Sequence, residues 1–161
     1  MDSIEQGVSV ALKPDVAMIK PGGTILLVED DQDDIFIFQR ALVAANVLNP
    51  VAVVTDGQAA MDYLSHKNEY ADQKKYPRPF VIFLDLKLPY LDGFEVLTWI
   101  RQQPQLKSVV VVVLSGSDEN RDHQRAYALG ARSYLVKPPS AQQIRQFMDS
   151  MVSYWGGAAG N

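Results

Sequence analysis

Four apolar segments of this chain end in residues able to do chemistry. Leu26-Leu27-Val28 runs into Glu29-Asp30, Ile82-Phe83-Leu84 into Asp85, Val112-Val113-Leu114 into Ser115-Gly116, and Leu135-Val136 into Lys137-Pro138. Carboxylates crowded together either rise in pKa or take up a cation. A hard divalent ion, held by one or two carboxylates, waters and phosphate oxygens, is the natural partner. On that reading Asp30 and Asp85 are direct ligands, Glu29 acts through water, and the backbone carbonyl of Lys87 adds an oxygen. With its charge screened by a cation, Asp85 can attack a phosphoryl group and become an aspartyl phosphate. Lys137 would neutralise a phosphoryl oxygen, while the Ser115 hydroxyl and the Gly116 amide bond the others and draw their loop inward.

Each piece alone has an ordinary explanation. Acids ahead of a helix cap its free amides, Asp85 serves as a loop acid, Ser115-Gly116 makes a turn, and Lys137 is a solvated residue. What these readings do not explain is the joint placement at successive strand ends.

The elements that must position these residues are legible from periodicity. Thr24 to Val28 is a short β-rich apolar run, the pattern of a strand buried on both faces. Ile35, Phe38, Leu42 and Ala45 recur at helical spacing, with Asp33 and Asp34 in the first turn to complement the positive helix end. Val51 to Val54 is a second strand, placed at a sheet edge by Pro50, and Asp56-Gly57 leads into a helix through Ala60 and Leu64. Residues 65–79 are polar, lack an apolar face and predict a long solvated connection. Phe80 to Leu84, Val109 to Leu114 and Tyr134 to Val136 are strands. Between them, Phe94, Leu97 and Ile100 mark one helix, and Ala126 and Leu129 another, with Gly130 as its cap. Ser140 to Gln143 is a capping box opening a last helix with Ile144, Phe147, Met148, Met151, Val152 and Trp155 on one stripe, stopped by Gly156-Gly157. Alternating strands and helices predict an α/β fold with a parallel sheet covered on both faces. Its ligands belong beyond the carboxyl ends of the strands.

Composition narrows the partners. The chain has 161 residues, 15 Lys and Arg against 19 Asp and Glu, a net charge of -4 and no cysteine. A basic surface for nucleic acid is not expected, nor are disulfides or thiolate metal sites. The longest apolar run is far below the ~18 to 20 residues that span a bilayer, and the N-terminus lacks the layout of a secretory signal. The expectation is a cytoplasmic protein with no nucleic-acid or membrane partner.

The segments Ile25-Leu26-Leu27-Val28-Glu29-Asp30-Asp31, Phe83 to Gly93, Val113-Leu114-Ser115-Gly116 and Tyr134-Leu135-Val136-Lys137-Pro138 resemble the receiver domain of two-component response regulators. The resemblance covers residues 24–155, leaving an arm over 1–23 and a tail over 156–161. It implies a flavodoxin-like, doubly wound five-stranded parallel sheet in the order 2-1-3-4-5. It also implies phosphoryl transfer from the phosphohistidine of a sensor histidine kinase to Asp85, dependent on Mg²⁺ or Mn²⁺. Glu29 and Asp30 match the acid pair, Ser115 the switch hydroxyl, Lys137 the phosphate-binding lysine, and Tyr134 the aromatic switch. A cis Lys137–Pro138 peptide is implied as well. Lys87 stands where many members have a smaller or neutral residue, near the phosphoryl group, and Pro139 where an aromatic is common. The stretch from Asp56 to Leu64 and the polar segment after it resemble a subgroup that includes partners of bacterial and cyanobacterial phytochrome kinases.

Rival readings fail on particular residues. A haloacid-dehalogenase-type phosphatase needs an Asp where Lys87 stands, a flavodoxin proper would have Glu29, Asp30 and Asp31 repelling its cofactor phosphate, and an EF-hand loop is broken by Ile35 and Phe36. The alternative of another class is a receiver-like interaction module that works without phosphorylation. With no room expected for an effector domain, output is expected to pass to a downstream protein, to a histidine phosphotransfer partner, or through a homodimer on the face of helix four, strand five and helix five. The chain is then a stoichiometric phosphoacceptor rather than an enzyme, with self-phosphorylation from phosphodonors and slow self-dephosphorylation. Trp155 is expected to be available for a contact, and His66 and His123 to be isolated surface residues.

Overall fold

Runs rich in Val, Ile and Leu form the strands β1 (Ile25–Val28), β2 (Val51–Val54), β3 (Val81–Asp85), β4 (Val110–Ser115) and β5 (Ser133–Val136). The structure, a computed structural model, describes residues 23–155. The expected tail, the glycine stop of the last helix and all but the end of the expected arm lie outside them. Every strand pair is parallel and the sheet order is β2-β1-β3-β4-β5, the order implied by the resemblance. The helices that connect and follow the strands among the described residues are α1 (Gln32–Ala44), α2 (Gly57–Ser65), α3 (Gly93–Gln102), α4 (Asn120–Ala128) and α5 (Ala141–Ser150).

Alternation along the strands divides the core into two layers. Leu26, Val28, Ile82, Leu84, Val111 and Val113 meet α2, α3 and Ala126 of α4 on one face. Ile25, Leu27, Val81, Phe83, Val112 and Leu114 meet α1 and α5 on the other, through Phe38, Leu42, Ile144 and Phe147. Strands β1 and β3 are buried on both faces, which is why they read as unbroken apolar runs rather than as alternating ones. Each such side chain contributes about 1.5–3 kcal/mol on burial. Edge strand β2 is only partly buried, and the Pro50 carbonyl before it accepts the Ile25 amide at 2.9 Å.

Local chemistry starts and stops the helices, at Ser140 and Gly130 as expected. Asp31 caps α1 by accepting from the Asp34 amide, and Asp92 and Ser140 form capping boxes with Glu95 and Gln143. Gly130 takes φ 102° after α4, a conformation that costs glycine little. The Arg145 guanidinium of α5 donates to the Ala45 carbonyl at the end of α1, tying together the two helices that cover one face.

Three expectations are corrected. Segment 65–79 contains a 3₁₀ turn at Asn68–Tyr70, and Tyr70 and Tyr76 pack against Tyr63 with ring centroids 5.3 and 5.8 Å away. The Tyr63 hydroxyl also donates to the Pro77 carbonyl at 2.9 Å. Two tyrosines too widely spaced for a helical stripe escaped a search for periodicity. Trp155 is not available for a contact, since it is 2% exposed, with its ring 4.9 Å from Phe80 and 6.2 Å from Phe147. His66 is partly buried and closes α2 in a left-handed conformation, φ 57°.

Candidate functional site

The strand register brings the reactive residues together. Val28 pairs with Leu84, Asp85 with Leu114, and Ser115 with Val136, so the residues that end β1, β3, β4 and β5 lie at one edge of the sheet. Glu29, Asp30 and Asp85 offer carboxylate oxygens within 4.8 Å of one another. Glu29 and Asp85 are buried, at 2% and 3% exposure, whereas Asp30 is open to solvent. The backbone behind Asp85 leaves no room for a side chain. A Cβ on Gly93 would collide with the Asp85 carbonyl oxygen and approach Leu86 Cα to 2.7 Å, so the glycine lets the start of α3 abut the end of β3.

Lys137 is the cation of the site. Its Nζ donates to Glu29 at 2.8 Å and Asp34 at 2.9 Å and lies 3.2 Å from Asp85 Oδ1. The peptide that follows it, to Pro138, is cis, and Pro139 is buried against the same region. Burial pushes Glu29 up to about 7, reinforced by the charge of Asp85 and opposed by Lys137 and the Asp31 amide. Asp85 is raised by burial as well, against the lowering effect of Lys137 and of the Lys87 amide that donates to it. For Lys137, burial favours loss of the proton, but bonds to Glu29 and Asp34 and the charge of Asp85 outweigh it and hold the ammonium above its usual range. One partly buried cation thus faces two buried carboxyls that hold their protons more tightly than free ones.

This donor set fits a hard divalent cation. It is all oxygen, it clusters at a spacing compatible with one ion and waters it retains, and two of its members are destabilised as anions by burial.

The loop after β4 is organised around Ser115 and Tyr134. The buried Ser115 hydroxyl accepts from the Ser117 amide at 3.1 Å, and the Tyr134 hydroxyl donates to the Ser117 carbonyl at 2.8 Å. Gly116 has open space where a Cβ would stand. Lys87 carries its side chain in solvent. Beside it, the Leu91 amide donates to the Pro89 carbonyl at 2.8 Å around Tyr90, which has φ 70° and is 95% exposed.

Two residues gain contacts that the sequence did not suggest. His123 is not isolated, because its ring stacks on Tyr134 at 3.8 Å and its Nε2 lies 3.0 Å from Asp118 Oδ1. Asp34, expected only to complement the helix end, reaches Lys137, 103 residues away in the chain. Neither pairing leaves a local signature, since each partner lies on an element remote in sequence.

Comparison with known proteins agrees with this geometry. The family model of the response regulator receiver domain matches residues 25–149. Response regulator Rcp1 of Synechocystis sp. (strain ATCC 27184 / PCC 6803 / Kazusa) is 37% identical over 135 residues, which cover 84% of this chain and 90% of that protein. The crystal structure of the phosphorylated cyanobacterial phytochrome response regulator RcpA superposes with a TM-score of 0.68 at 40% identity, covering 83% of this chain and 93% of the other. The Mn²⁺-bound form of Rcp1 gives 0.66 at 37% identity, over 83% and 94%. No helix among the described residues is long and apolar enough to cross a membrane. The sheet order, the acid cluster at its carboxyl edge and these likenesses together place the chain in the response regulator receiver family of two-component signalling.

Proposed function

We propose that this protein accepts a phosphoryl group on Asp85 from the phosphohistidine of a sensor histidine kinase and signals through the resulting rearrangement of the β4–α4 loop. The observation that carries the reading is a buried Asp85 carboxylate 3.2 Å from the Lys137 ammonium, within a cluster of three carboxylates. An Asp85 oxygen forms the new bond to phosphorus while the bond from phosphorus to the donor breaks, the donor leaving with the electron pair. Glu29, Asp30 and Asp85, with the Lys87 carbonyl, would hold Mg²⁺ or Mn²⁺, which when bound supplies neutralisation of the acid cluster and of the incoming phosphoryl oxygens. Lys137 keeps its proton and offsets charge on one phosphoryl oxygen, and the Gly116 amide, with Lys87 nearby, faces the others.

The Ser115 hydroxyl must leave its bond with the Ser117 amide to reach a phosphoryl oxygen, and the Tyr134 bond to Ser117 carries that movement to β5. The protein acts as a stoichiometric cytoplasmic phosphoacceptor. Its phytochrome-type relatives favour a light-sensing kinase as the donor, and output passes to a downstream protein, a histidine phosphotransfer partner or a second copy docked on the α4–β5–α5 face.

Incubation with acetyl phosphate and Mg²⁺ should yield phosphoprotein, chelation should abolish it, and Asp85→Asn should lower the yield by at least ~100-fold, because no carboxylate nucleophile remains at that position. An unlabelled wild-type protein, or a fully labelled Asp85→Asn, would overturn the reading. The first of these results would favour an interaction module that works without phosphorylation.

A further inference from the structure

The Lys137 ammonium has three N–H donors, and three carboxylates surround it: Glu29, Asp34 and Asp85. Two of these belong to the cluster that fits a cation and Asp34 does not. Any ion that engages Glu29 and Asp85 therefore weakens their pull on the ammonium, and Asp34 remains as its dedicated counter-charge. The position of Asp34 is built into the start of α1. Its amide donates to the Asp31 cap at 3.0 Å, which sets how far along the helix axis the carboxylate stands. Asp34 and Lys137 line one small pocket with the apolar side chains of Leu27, Phe38 and Leu114, surroundings that strengthen a charge pair relative to open water. Asp34 is itself 39% exposed, so it reaches the ammonium from the solvent side of the site, whereas Glu29 and Asp85 approach it from within.

We infer that Asp34 is a positioning residue for phosphoryl transfer to Asp85. The inference rests on the reading of Asp85 as phosphoacceptor. By engaging one N–H of Lys137, Asp34 fixes the direction of the ammonium, so that the donor now facing Asp85 faces the phosphoryl oxygen as the new Asp85–phosphorus bond forms and acetate or histidine leaves. Without that tether the lysine, on a flexible four-carbon stem, turns toward Glu29 or solvent and neutralises the reacting group less well.

The test uses the full chain, acetyl phosphate and saturating Mg²⁺. Asp34→Ala should lower the phosphorylation rate by about tenfold, as expected when a charged group is displaced from the reacting centre. Asp34→Asn should recover most of that loss, because its amide oxygen still accepts from the ammonium. Asp33→Ala, which removes an equivalent charge from the same helix turn without touching Lys137, should stay within about twofold of wild type, each variant being assayed at a Mg²⁺ concentration that saturates it. An Asp34→Ala rate close to wild type overturns the inference. So do an Asp34→Asn as slow as the alanine variant or an equal loss in Asp33→Ala. A wild-type protein that takes up no phosphoryl group removes the phosphoacceptor reading and this inference with it, whereas an active wild type with an unaffected Asp34→Ala removes the inference alone.

Discussion

The two ends of the sheet are built on opposite terms. At the carboxyl end, Glu29 and Asp85 are buried as neighbours and share one ammonium; burial raises both carboxyl pKa values and the ammonium opposes that rise. At the amino end the same strands are closed by packing. Trp155 seats on Phe80 and Phe147, the Phe80 amide donates to the Thr24 carbonyl at 3.1 Å, and Arg101 donates to the Val109 carbonyl at 2.7 Å. Parallel strands deliver all their carboxyl ends to one side, so a single sheet can hold its reactive groups at one edge and its stabilising contacts at the other. The destabilised edge is the one proposed to take up a cation and a phosphoryl group. The packed edge pays for it.

If that division holds, variants at the two ends separate stability from chemistry. Trp155→Ala carries the largest expected effect, about 3–5 kcal/mol of stability lost, as for other buried aromatics cut to alanine. The remaining folded protein should still be phosphorylated at a wild-type rate. Denaturant unfolding beside acetyl phosphate labelling checks this, and a parallel collapse of labelling in folded protein would break the division.

The site edge should respond to pH in a direction fixed by Glu29. Its carboxyl, ordinarily near 4.5, is pushed up to about 7 in the native state. The native metal-free protein therefore holds a proton that the unfolded chain has lost, so stability falls as pH rises through that window and the cost is fully present above it. A cation must displace that proton, so Mg²⁺ affinity should fall about tenfold, or ~1.4 kcal/mol, for each pH unit below 7. Thermal unfolding with and without Mg²⁺ at about pH 6 and about pH 8 reads this, and an equal Mg²⁺ stabilisation at both would count against a protonated Glu29.

The smallest effect belongs to the amino end. Tyr63→Phe removes the donor to the Pro77 carbonyl and should cost about 1 kcal/mol. Labelling of Asp85 should not change, and a slower rate would show the 65–79 segment coupled to the site.

How much could be read beforehand varied with distance along the chain. The strands at Ile25–Val28 and Val81–Asp85 were plain because burial on both faces writes itself as an unbroken apolar run. The cap at Ser140 was plain because its partner lies three residues on. The acids and the lysine of the site stood out only because each follows a strand. The tyrosine cluster around Tyr63 was hidden, since Tyr70 and Tyr76 meet it from a segment without period, and so was the His123–Tyr134 stack between α4 and β5. Trp155 was misjudged because a helical stripe shows which side is apolar but not what covers it.

The sequence by itself determined which residues could react and which side of each element is buried, because periodicity and capping are set by near neighbours. Only the tertiary structure decided which charges share Lys137. Glu29 and Asp34 reach it across 108 and 103 residues, and that pairing depends on the sheet order and register that set the carboxyl ends of β1, β3 and β5 along one edge, with the start of α1 beside them and a partly buried environment to make their charges count.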